Sequence, residues 1–174
     1  MSKKLFYSAL VALFALSHLY ASGRSENREN SDFKRKDELK LLSKAEKKWN
    51  SQNITSYKAD IIYMRATFPP EGIEIIVEDE NLISAWKTGE TAESSYSEDF
   101  LKSLTVKKMF DRMRGSLESD KHSPMVLKAV YDKKLGYIKS LSRVPSDEAA
   151  AKGRAPFDAG YSIKITALEI IKKE

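Results

Sequence analysis

The apolar positions change period several times along the chain, and each change predicts an element. Leu39, Leu42, Ala45 and Trp49 recur at steps of three and four among Lys and Glu, which predicts a helix from about Asp32 to Ser51. Asn50-Ser51-Gln52-Asn53 is its expected stop. The period then falls to two. Tyr57, Ala59, Ile61 and Tyr63 share one face of a strand, and Ile62, Met64 and Ala66 the other. Pro69-Pro70 ends that strand and forces an extended turn, because the residue before a proline is held extended. Ile73, Ile75 and Val77 alternate with Glu74, Ile76 and Glu78. Asp79-Glu80-Asn81 is read as a turn, and Leu82 to Lys87, with Trp86, as the returning strand.

The second half repeats this order. Thr105 is the expected N-cap of a helix whose stripe is Val106, Met109, Phe110, Met113 and Leu117. Met125, Leu127, Ala129 and Tyr131 then alternate with Val126, Lys128 and Val130. Ile138, Ser140, Ser142 and Val144 alternate with Lys139, Leu141 and Arg143. These patterns predict a hairpin around the Gly136 loop. Tyr161, Ile163, Ile165 and Ala167 mark a last strand. Gly89 to Ser103, acidic and rich in Ser, is expected to be a loop pinned by Tyr96 and Phe100, and Pro145 to Gly160 a long loop without a periodic face. The element order α-β-β-β-α-β-β-β predicts an α+β fold. It has an antiparallel sheet of about six strands with two helices on one face. The repeated order also suggests a structural duplication, about 32–88 and 104–171, without a repeat of residues.

The N-terminus reads differently. Lys3 and Lys4 precede an apolar run from Leu5 to Leu19, and Ala21-Ser22-Gly23 supplies small residues at a cleavage position. Residues 1–23 are therefore expected to be a secretory signal peptide, with an uncleaved anchor as the alternative; the run is short of the ~20 residues a span needs. Residues 24–36 are expected to be a flexible linker and 37–174 a single α+β domain. The domain is expected in the periplasm or outside the cell, with contact to a membrane only through an uncleaved leader.

Composition narrows the chemistry. Charged residues make up 32% of the chain and the formal charge is +5; without residues 1–23, 28 basic and 25 acidic side chains remain. The Lys residues lie among acids and form no basic stripe, so no nucleic-acid partner is expected. The absence of cysteine excludes disulfides, thiol nucleophiles, Cys-based metal sites and an N-terminal lipid-modified Cys. The two histidines are His18 in the leader and His122 in a polar loop; acid–base work needs an oriented partner, and only Asp120 is close to His122 in sequence. Asp79-Glu80-Asn81 lacks the spacing of a calcium loop. No metal and no cofactor are expected.

Three groups of residues carry candidate chemistry. Tyr131 and Tyr137 flank a loop in which Asp132 can accept backbone N–H groups and Gly136 can take positive φ. With Asp158 and Tyr161 they form the candidate contact surface, since Tyr gives large contact area at low entropic cost. Lys107 and Lys108 follow Thr105 in the first turn of a helix, where free N–H groups can help hold an anion. Asp132, Asp147, Glu148 and Asp158 are the carboxylates that a paired acid–base mechanism would draw on.

Several of these residues also carry a resemblance. Asn53-Ile54-Thr55-Ser56-Tyr57, Pro69-Pro70, Thr105 with Met109-Phe110-Asp111-Arg112-Met113, Tyr131-Asp132 with Leu135-Gly136-Tyr137, and the late Asp158 and Tyr161 form one set. The set is similar to a family of small exported bacterial domains of unknown function. Members often carry cysteines near the end of the first strand, where this chain has Met64-Arg65-Ala66-Thr67, and proline after the hairpin tyrosine, where it has Ile138. The resemblance implies fold and export, and no activity. The expected function is a non-catalytic, exported binding or interaction module of the bacterial envelope. Its expected partner is an envelope protein or glycan, and the alternative is a carboxylate-dependent hydrolase.

Overall fold

A computed structural model describes residues 35–88, 96–119, 123–153 and 160–172. The chain divides into two compact units, Met1–Leu39 and Lys40–Glu174. The expected leader, most of the expected linker, His122 and Asp158 lie outside the described residues. Residues 35–50 are helical, and the part within the second unit, 40–50, is α1 here. The other elements of that unit are β1 (Tyr57–Arg65), β2 (Glu71–Glu78), β3 (Asn81–Lys87), α2 (Glu98–Lys102), α3 (Val106–Ser119), β4 (Met125–Tyr131), β5 (Ile138–Pro145), α4 (Asp147–Ala151) and β6 (Tyr161–Ile170). The six strands make one antiparallel sheet in the order β3-β2-β1-β6-β5-β4. The fold is α+β, as the alternation of periods predicts.

The core lies between one sheet face and the helices. Tyr57, Ala59 and Ile61 of β1, Ile73, Ile75 and Val77 of β2, and Ile163 and Ile165 of β6 are buried. Leu42, Ala45 and Trp49 of α1 and Val106, Met109, Phe110 and Met113 of α3 are buried too. Each buried aliphatic side chain contributes about 1.5–3 kcal/mol, so this layer carries most of the stability.

Three expectations change. Each stretch read as a loop contains a short helix. Ser97 and Ser146 cap α2 and α4, with Oγ accepting from the N–H groups of Phe100 and Ala149. Both helices begin with two acids and carry an i,i+4 ion pair, Glu98–Lys102 and Glu148–Lys152. The phase of β5 also shifts: Val130 pairs with Ser140 and Tyr131 with Ile138, so Lys139 is an extra residue. That bulge places both Ile138 and Leu141 in the core, which strict alternation does not allow. Finally, the first strand of the first meander, β1, lies inside the sheet whereas the first strand of the second, β4, lies at its edge, so no two-fold axis relates the halves strand for strand.

The β2–β3 turn is backbone-strained. Asp79 and Glu80 have φ of 48° and 66°, a region that costs a non-glycine residue about 1–3 kcal/mol. Outside contacts hold it. The Glu80 N–H donates to the Thr55 carbonyl at 2.8 Å, the Asp79 N–H to Ser56 Oγ at 3.2 Å, and Glu80 pairs with Lys107 of α3 at 2.5 Å.

Candidate functional site

The hairpin loop is built as its residue types require. Asp132 Oδ1 accepts the N–H groups of Lys134 at 2.9 Å and Leu135 at 2.7 Å. The Asp132 N–H closes the loop on the Tyr137 carbonyl at 2.8 Å. Gly136 has φ of 91°, and a Cβ there would lie 2.5 Å from the Ala45 carbonyl oxygen and 3.0 Å from the Trp49 nitrogen. Glycine is thus required both for the turn and for the close approach of the hairpin to α1. Lys48 Nζ donates to the Lys133 carbonyl at 2.5 Å and closes the same junction.

The aromatic rings at this end face inward. Tyr137 is buried and stacks edge-on against Trp49, with centroids 6.0 Å apart. Trp49 makes the same contact with Tyr57 at 5.8 Å. The Tyr57 hydroxyl accepts the Val106 N–H at 2.8 Å, so it caps the start of α3. Burial pushes the Tyr57 hydroxyl up to about 12, and raises that of Tyr137 as well. This ladder of rings joins α1, β1, α3 and the β4–β5 hairpin.

The residues expected to hold an anion have partners within the protein. Thr105 is buried, and its Oγ1 donates to the Lys102 carbonyl at 3.0 Å and takes the Lys108 N–H at 3.5 Å. Lys107 pairs with Glu80, and Lys108 with Asp111 at 3.7 Å. The carboxylates considered for catalysis are also spread out. Asp132 and Asp147 flank opposite ends of β5, an eight-residue strand about 25 Å long.

The opposite end of the same sheet face is different. Leu127, Arg143, Tyr161 and Arg65 are aligned across β4, β5, β6 and β1 as consecutive strand pairs. Behind this row the core ends, and α3 and α2 stand above it. A groove of about 440 Å³ opens there, lined by Tyr63, Phe100, Arg112, Met125, Arg143 and Tyr161 among others. Its aromatic side is continuous: Tyr63 lies 4.9 Å from Phe100 and 6.5 Å from Tyr161, centroid to centroid. The guanidinium of Arg112 sits 5.8 Å from the centre of the Tyr161 ring, and its NH1 donates to the Tyr161 hydroxyl at 3.4 Å. Arg65 stacks 4.1 Å over Phe68.

The charge of this groove is one-sided. Among the described residues its lining holds no carboxylate, and none forms an ion pair with Arg65, Arg112 or Arg143. Arg114, two residues after Arg112 in α3, is paired with Glu46 instead. Burial raises the Tyr63 hydroxyl above its usual value, against the opposing pull of Arg65 and Arg112, so the phenol stays a neutral donor. Ser116 and Ser123 line the groove, and among the described residues its lining holds no His or carboxylate. The arrangement can bind an anion.

Of the candidate site residues that are described, Tyr161 lies in the groove, whereas Tyr131, Asp132, Gly136 and Tyr137 are at the far end of β5. The arginines left a readable signal. Arg65 is in phase with Ile61 and Tyr63, and Arg143 with Leu141, so both place a cation on the face that buries its neighbours.

The profile of one family matches residues 41–153. The chain belongs to DUF6174, a family of unknown function. The DUF6174 match runs from α1 to just past α4, and includes Arg65, Arg112 and Arg143 but not Tyr161. No curated protein and no solved structure matches the chain.

Proposed function

We propose that the protein is a non-catalytic, exported binding module of the bacterial envelope, and that the groove beside Tyr161 is where it takes its ligand. One observation carries this reading: a groove of about 440 Å³, within the range of small-ligand pockets, carries two arginines and, among the described residues, no carboxylate in its lining. Arg112 and Arg143 line one groove, Arg143 being exposed, so an incoming anion meets two cations that it can pair with. The basic start and apolar run of residues 1–23 support export.

A panel of anionic and neutral small molecules, added to the isotope-labelled protein and followed by NMR, tests this. The expected result is movement of the Arg112, Arg143 and Tyr161 signals with every compound recovered intact. A panel that moves none of these signals, or whose members return hydrolysed, contradicts the reading.

A further inference from the structure

We infer that the groove selects a small amphipathic carboxylate: a single planar anionic head on an apolar, ring-sized body. The inference rests on the groove being a binding site and adds the class of its ligand.

The head is argued from the arginines. Arg112 reaches in from α3 and Arg143 from β5, and Tyr161 is their common neighbour, through a 3.4 Å hydrogen bond on one side and direct strand pairing on the other. Guanidinium forks match the two oxygens of a carboxylate in plane, and two of them on one head leave no oxygen without a donor. Charge at the groove argues for one negative charge over two. Arg112 is in the middle of α3, Val106–Ser119, and Ser116 lies further towards its end, so neither brings the free N–H groups of a helix start to the groove. A phosphate dianion gains most from the backbone N–H groups of a helix start. The start of α3 lies elsewhere, with its Val106 N–H taken by Tyr57.

The body is argued from the remaining lining. Tyr63 and Phe100 form an aromatic side, while Met125 and Leu127 offer a thioether and an aliphatic side chain. A bare inorganic anion leaves this surface in water. A neutral ring covers it but leaves the arginines uncompensated, at the cost of burying unpaired charge. A carboxylate on an apolar body satisfies both.

Titration calorimetry on the full chain, with NMR to locate the binding, separates these cases. The probes are 3-phenylpropionate, its neutral isostere 3-phenylpropionamide, and inorganic phosphate. The acid is expected to bind about tenfold or more tightly than the amide, since a charge-assisted pair replaces a neutral hydrogen bond. Phosphate at equal concentration is expected not to displace it. Arg112→Gln and Arg143→Gln are each expected to weaken the acid about tenfold and the amide less than about twofold. Arg143→Lys is expected to recover only part of the loss, because the fork is gone while the charge remains. Melting curves of each variant confirm that it is folded.

Equal affinity for acid and amide, with shifts at Tyr161, overturns the carboxylate inference and leaves the groove as a binding site. Tighter binding of phosphate than of the acid does the same. Loss of acid and amide binding together in folded arginine variants also overturns it, since that marks a structural role for the arginines. If none of the three probes moves the Tyr161 signal, the inference fails, and the binding reading falls with it only when the wider panel fails too.

Discussion

Two clusters of aromatic and basic side chains sit at opposite ends of one sheet face, and they are finished differently. At the hairpin end, Tyr57, Trp49 and Tyr137 stack in sequence, Lys48 donates to the Lys133 carbonyl, and the Tyr57 hydroxyl caps α3. Gly136 is pressed so close to α1 that a single added carbon would overlap the Ala45 carbonyl. At the groove end, Tyr63, Phe100 and Tyr161 stand beside Arg65, Arg112 and Arg143, none of which has a carboxylate partner among the described residues. The residue types are nearly the same at both ends. What separates a joint from a site is whether the polar groups have been satisfied within the chain: the hairpin end has used its hydrogen bonds to fix α1, and the groove end holds charge that is still uncompensated.

The comparison breaks most readily at Trp49. Trp49→Ala removes the middle ring of the ladder, with an expected loss of about 3–5 kcal/mol in denaturant unfolding, the usual cost of deleting a buried aromatic. Gly136→Ala comes next, at roughly 2–4 kcal/mol, because it adds left-handed strain and a backbone overlap at one position. A loss below about 0.5 kcal/mol in either variant would mean that the hairpin is not locked to α1.

Tyr57→Phe is a finer cut. It keeps the ring and removes the acceptor of the buried Val106 N–H, with an expected cost of about 1–2 kcal/mol near neutral pH. It should also flatten the alkaline limb of stability. The folded-state value of the Tyr57 hydroxyl, about 12, lies above the ordinary 10.0 because burial favours the neutral phenol. That contribution is complete below pH 10 and is lost as pH rises through about 12. Tyr137 and Tyr63 shift in the same direction and leave a smaller slope in the variant. Unfolding measured from pH 9 to 12 reads the difference, and an unchanged limb would contradict the buried cap. The smallest stability effect belongs to the groove: Arg143→Gln and Tyr161→Phe should stay within about 0.5 kcal/mol of the parent, since Arg143 is exposed and Phe keeps the Tyr161 ring.

Much of the fold was legible as changes of period. The stripes of Leu42, Ala45 and Trp49 and of Val106 through Met113 face the core as the spacing requires. The five-residue helices α2 and α4 are too short for a periodic stripe, yet Ser97-Glu98-Asp99 with Lys102 and Ser146-Asp147-Glu148 with Lys152 show a cap, two acids and an i,i+4 partner. The bulge at Lys139 was not legible, because an inserted residue leaves the local composition unchanged and shows only in pairing. The site was half legible. Arg65 and Arg143 break the apolar phase of their strands, but only the pairing of β1 with β6 brings Arg65 beside Tyr161, which is distant in sequence. The hairpin tyrosines drew notice because turn chemistry and aromatic residues are locally conspicuous. The structure turns Tyr137 toward Trp49.

The most direct test reads both ends in one spectrum. The side-chain signals of Arg112 and Arg143 and the ring signals of Tyr161, Tyr131 and Tyr137 are followed while 3-phenylpropionate is added to the labelled protein. The account predicts saturable shifts at Arg112, Arg143 and Tyr161, with Tyr131 and Tyr137 unmoved. Shifts confined to Tyr131 and Tyr137 would contradict it, and place the contact surface at the end that the structure treats as a joint.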